Sequence, residues 1–106
     1  MRARLSGLPI VLALVAMTAC ATSFQAKIIE ASAAADGRTL RLAVDTCNAD
    51  LMARTEESPS QVTVTVTARH DTNDDCQDVL VVNLERPLGT RQLVDGAAGE
   101  AVAVGR

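Results

Sequence analysis

Three cysteines, one histidine and a run of acids are the residues of this 106-residue chain with chemistry to offer. Cys20, Cys47 and Cys76 make no C-x-x-C redox pair, and Cys47, Cys76 and the lone His70 supply three metal ligands at most, one short of a structural zinc site. Asp71, Asn73 and Asp75 fall at the first, third and fifth positions of an EF-hand-like calcium loop. The pattern then fails, because Cys76 replaces the turn glycine and Val82 stands where a bidentate glutamate is required. The three remain calcium candidates of some other geometry, against the plainer expectation of an exposed loop. Ser58 or Ser60 could be written into a triad with His70, yet neither serine lies in a nucleophile-elbow sequence. Glu56 and Glu57 are neighbours that should point apart into solvent. Arg86, Arg91 and Asp95 flank Pro87-Leu88-Gly89, either as a surface ion pair or, in the sharper reading, as a buried Arg91–Asp95 pair fixing the last hairpin. With no nucleophile motif, metal set or cofactor loop, the expectation is a non-enzyme without a cofactor; a hydrolase with an unrecognised site is the alternative.

The N-terminus reads as an address. Arg2 and Arg4 precede residues 8–19, which are apolar apart from Pro9 and Thr18, the pattern of a secretory signal. Twelve helical residues reach roughly 18 Å, short of a hydrocarbon core of about 30 Å, so a membrane span is disfavoured. Directly behind this run, Met17-Thr18-Ala19-Cys20 resembles the lipobox of bacterial lipoprotein precursors, with Met17 where leucine is commonest. The resemblance implies that Cys20 takes a diacylglyceryl group and becomes the acylated, palmitate-bearing N-terminus, anchoring the chain on the outer face of the cell membrane. The alternative is cleavage after Ala19-Cys20-Ala21, which discards Cys20 and releases a soluble secreted protein. In either case Cys20 leaves the count, and Cys47 and Cys76 remain as an even pair in an oxidising compartment, expected to form a disulfide.

The domain expectation is therefore a signal peptide over 1–19, a lipidated tether over 20–24 and a folded domain over 25–106. Without the leader, 8 Lys and Arg face 13 Asp and Glu, a balance of −5. Such a charge, with Phe24 as the single aromatic, argues against a nucleic-acid partner. It also leaves membrane attachment to the lipid, with a protein of the cell envelope as the remaining partner class.

The elements that must position these residues are short strands. Val62, Val64, Val66 and Ala68 alternate with Thr63, Thr65, Thr67 and Arg69, and Leu40, Leu42 and Val44 alternate with Arg41, Ala43 and Asp45, each the two-residue period of a sheet with one buried face. Asp36-Gly37 should turn an earlier strand, over about 25–33, into the second of these as a hairpin. Residues 79–84 form a nearly continuous apolar run, Leu93-Val94 a short one and 101–104 a last one, while 49–55 suits a strand or a helical turn. Residues 56–60 read as a polar loop, and Pro87-Leu88-Gly89 as a type I turn. Six or seven strands without a helical period outside the leader predict an all-β fold, a small antiparallel β-sandwich of Ig-like or Greek-key kind behind a helical signal peptide. The order Asp36-Gly37-Arg38-Thr39-Leu40, Cys47, Cys76, Pro87-Leu88-Gly89-Thr90-Arg91 and Asp95 resembles small secreted proteins and lipoproteins of actinobacterial type, which implies a fold and no catalytic residues.

Overall fold

The computed structural model describes residues 22–105. The signal peptide expected over 1–19 and the lipidation candidate Cys20 lie outside the described residues.

The valine–threonine alternation is β5 (Gln61–Arg69): Val62, Val64, Val66 and Ala68 are buried and the threonines between them face outward. The leucine alternation is β3 (Thr39–Val44), whose Leu40, Leu42 and Val44 are also buried. These two strands are interior to two sheets whose apolar faces share one core. In the first sheet, β4 (Asp50–Glu57) lies on one side of β5. On its other side, β1 (Ser23–Ala26) pairs with the end of β5, β7 (Gln92–Asp95) with its beginning, and β8 (Glu100–Val102) follows β7. The second sheet runs β6 (Asp78–Asn83), β3, β2 (Ile28–Ala33), β9 (Val104–Gly105).

The sandwich expected from sequence is present, and it is all-β throughout the described residues, but its sheets are mixed. β7 runs parallel to β5 and β9 parallel to β2. The cause is the connection over 84–91, which ends where β5 begins, with Gln92 N–H on Ser60 O at 3.2 Å. The chain can then enter β7 only alongside β5 in the same direction.

Two expected strands each split between the sheets. The one expected over 25–33 becomes β1 and β2, which change sheet at Lys27, and β1 takes in Ser23 and Phe24, residues expected in the tether. The one expected over 101–104 becomes β8 and β9 across Ala103. These crossings close one side of the sandwich and leave β4 and β6 as edge strands on the other.

Of residues 49–55, all but Ala49 resolve as strand, and β4 extends through Glu56 and Glu57, so only 58–60 turn. Ser58 closes that turn, its N–H donating to Gln61 O and its hydroxyl accepting from Gln61 N. The Asp36-Gly37 hairpin forms as expected: Gly37 takes φ 72°, and Asp36 accepts the amides of Arg38 and Thr39. The expected turn centred on Pro87 is displaced. Arg91 N–H donates to Leu88 O, so the turn spans 88–91 with Gly89 second at φ 60°, a conformation that glycine accepts without steric cost. Pro87 instead packs over Gly37, where an added Cβ would approach Pro87 Cβ to 3.2 Å.

Candidate functional site

The connection from β3 to β4 and the one from β5 to β6 meet at one pole of the sandwich, where Cys47 and Cys76 are bonded with 5.1 Å between their Cα atoms. Cys47 is buried and Cys76 is exposed. Two carboxylates shape the backbone around the bridge. Asp71 accepts the amides of Cys47 and Asn73, both at 2.9 Å. Asp78 accepts the Thr46 hydroxyl at 2.6 Å and the amides of Asn48 and Ala49 at 2.9 and 3.0 Å. Asn48, His70 and Asn73 take φ of 57°, 60° and 64° here, left-handed values that asparagine tolerates better than most side chains.

This pole holds the calcium candidates Asp71, Asn73 and Asp75, but one oxygen of Asp71 already serves two amides. Among the described residues no three His, Cys, Asp or Glu side chains gather into a group that could hold a metal ion. His70 is exposed, with Nδ1 2.7 Å from Asp50 Oδ2. Ser58 and Ser60 sit beyond the opposite end of β5, whose nine residues separate them from His70 by roughly 30 Å. The structure therefore brings the cysteines together and keeps the serines apart from the histidine.

At the far pole the expected Arg91–Asp95 pair is not made, and Glu57 is not solvated. Arg91 Nη1 lies 3.1 Å from Glu57 Oε1 with both side chains largely buried. The approach is not aligned as a hydrogen bond, so charge attraction joins the two. The guanidinium also donates to the carbonyls of Ser58, Arg86, Pro87 and Leu88, tying the 58–60 turn to the 84–91 connection. A planar fork with several donors suits that task where a lysine would not. Asp95 is 1% exposed and accepts the amide of Ile28 at 3.1 Å and that of Ala97 at 3.0 Å. It thus fastens β7 to the point where β1 and β2 change sheets.

These carboxylates carry a pH dependence. The Glu85 amide, and then the Arg91 guanidinium, hold Glu57 below the ordinary carboxylate range; the Thr46 hydroxyl and the Ala49 amide do the same for Asp78. Asp36 is lowered by the amides of Arg38 and Thr39. A folded-state value below the unfolded one adds stability that is complete above the unfolded pKa, about 4, and is lost as pH falls through the folded value. Thermal melts should be flat from pH 7 to about 5 and then lose several degrees as these groups protonate. The variant Asp78→Asn should melt lower at pH 7 and lose less on acidification. Equal acid sensitivity in the variant would remove Asp78 from the account.

The outer face of the four-stranded sheet carries a feature the chemistry-bearing residues did not reveal. An open groove of about 640 Å³ runs across it, lined by Ile29, Glu30, Ser32, Arg41, Ala43 and Val79 among others. Beside it on β6, Val79 and Val81 are 53% and 50% exposed. The registers place Arg41 between Ser32 and Val81, and Ala43 between Glu30 and Val79. The sequence signal is the nearly continuous apolar run over 79–84, unbroken from Val79 to Val82: a strand without alternation presents apolar side chains to both faces, and only one face meets the core. The face thus sets an apolar surface beside a cation, Arg41, and an anion, Glu30.

Compared with protein-family models, curated proteins and solved structures, the chain matches none of them significantly.

Proposed function

We propose that the chain is an extracytoplasmic, lipid-anchored protein whose folded part is a non-enzymatic binding or structural module. The observation that carries the reading is the Cys47–Cys76 bridge. It pairs two of the three cysteines and leaves Cys20, directly behind the apolar leader, as the one outside the bond. A structural disulfide belongs to an oxidising compartment, and a thiol at the end of an export signal is the nucleophile that lipid transfer needs.

The fold supports an anchor at that position. β1 begins at Ser23, three residues after Cys20, and three extended residues span at most about 11 Å. The cysteine-bridged pole, where β1 starts opposite Arg69, thus lies next to the membrane. Asp71, Asp74 and Asp75 in the adjoining connection oppose close contact with anionic headgroups, so attachment rests on the lipid.

Membrane fractions from cells making the full chain should retain it, and the Cys20→Ser variant should appear in the soluble fraction or as uncleaved precursor. Roughly equal membrane retention of the variant as a cleaved chain without its leader would exclude the anchor. A soluble natural protein that begins at Thr22 would establish the secreted alternative.

A further inference from the structure

The outer face of the four-stranded sheet has two unlike halves. The registers place Val81, Arg41, Ser32 and Gly105 side by side in one row across β6, β3, β2 and β9. In the next row toward the disulfide, Val79, Ala43 and Glu30 stand in register, and Ala103 lines the same groove two residues before Gly105. A Cβ added to Gly105 would lie 4.0 Å from Ser32 Cβ, so the open side of this glycine is on the groove face. The β6 margin is therefore raised by half-exposed valines, and the β9 margin is low, with only alanine and glycine. Arg41 and Glu30 are diagonal neighbours on β3 and β2, yet among the described residues neither side chain has an ion pair or a hydrogen bond.

We infer that this face is the interface with a second copy of the chain, packed face to face about a twofold axis that runs along the strands between β3 and β2. Such an axis lays β6 of one copy over β9 of the other, and β3 over β2. Val81 then meets Gly105 of the second copy, Val79 meets its Ala103 and Arg41 meets its Ser32, so long side chains fall against short ones throughout. Arg41 also comes within reach of Glu30 of the second copy, two residues from that Ser32 on the same strand, and symmetry forms the pair twice. A twofold axis across the strands fails on shape: it lays β6 over β6, valine on valine, and leaves Ala103 and Gly105 facing a gap.

The direction of the axis rests on the lipid-anchored reading as well as on shape. β6 starts at Asp78, beside the Cys47–Cys76 bridge, and runs away from it to Asn83. Two copies held in one leaflet both keep their bridged poles toward it when the axis runs along the strands, whereas an axis across the strands turns one pole away. With strands of at most six residues, the face measures roughly 19 Å by 20 Å, at the small end of specific interfaces. The pair is therefore weak between free chains and is favoured where two anchors share a membrane and raise the effective concentration to about millimolar.

The test is coupling, by a short bis-maleimide that bridges two thiols, of full chains produced in pairs of distinguishable mass by the natural host. A Val81→Cys chain should couple to a Gly105→Cys chain and not to itself, because the axis sets the two β6 strands about 14 Å apart sideways and β6 directly over β9. Chains carrying Met52→Cys, 73% exposed on the other sheet, should stay uncoupled. Placing Arg41→Glu in both partners should cut the mixed product about tenfold, and adding Glu30→Arg to both should restore it, with melting temperatures unchanged. Self-coupling of Val81→Cys as strong as the mixed pair, equal coupling at Met52→Cys, or no restoration by the double reversal would each overturn the interface. The intact mass of the same chains reads the anchor separately. An acylated chain that does not couple overturns the interface alone. A soluble chain beginning at Thr22 that still couples at about 1 mM overturns the anchor alone, and one that does not couple at that concentration overturns both.

Discussion

Replacing Cys47 and Cys76 together by serine should lower the melting temperature by about 20 °C. The bridge closes a loop of 29 residues, and the chain-entropy account assigns such a loop about 3 to 4 kcal/mol through restriction of the unfolded chain. For a domain of this size one kcal/mol moves the midpoint by several degrees. The core explains why the loss is serious. It is built from alanine, valine, leucine and isoleucine, and the one aromatic, Phe24, is exposed instead of filling it. Little apolar area is therefore buried per residue, and a cross-link supplies a large share of a stability that is small in any domain. Calorimetry of the oxidised protein, the reduced protein and the double serine variant tests this. The reduced and serine forms should agree closely, and a drop under about 5 °C in both would show that the bridge is incidental to folding.

The second large effect belongs to Asp95. Its carboxylate accepts two amides, Ile28 and Ala97, and one of these lies 67 residues away at the sheet crossing. Removing the acceptor in Asp95→Ala strands the Ile28 amide among buried groups, leaves the Ala97 amide without its protein partner and opens space beside β7. We expect a loss of about 3 kcal/mol, roughly 15 °C. Asp95→Asn preserves volume and one acceptor oxygen but turns an N–H group toward an N–H group, and should fall between the alanine variant and the parent. Because Asp95 joins β7 to the β1–β2 crossing, hydrogen exchange in the alanine variant should quicken first at Ile28 and through β7 to β8. If Asp95→Ala melts within about 3 °C of the parent, the carboxylate is not the fastener described here.

The strands that carry the core were legible because their period is local. Val62 to Ala68 and Leu40 to Val44 declare a buried face whatever surrounds them, and β5 and β3 follow. The disulfide was legible from parity, with no knowledge of distance. What escaped were features that depend on partners remote in the chain. Nothing near Lys27 or Ala103 signals a change of sheet, since each side of the break is ordinary strand sequence. Asp95 follows a short apolar pair and resembles a turn acid; its burial is fixed by an amide near the other end of the domain. Glu57 looked solvated beside Glu56, but in a strand consecutive side chains face opposite ways, and the inward one meets Arg91. The calcium pattern Asp71, Asn73 and Asp75 was a local spacing whose first oxygen the fold uses to hold the Cys47 amide.

Where this fold resides and how it is held there are tested most directly by the intact mass of the mature N-terminal peptide from the natural host. A lipid-anchored chain should yield a peptide that begins at Cys20 with a diacylglyceryl thioether on its sulfur. An unmodified peptide beginning at Thr22, or a chain that keeps its leader, would contradict the anchor.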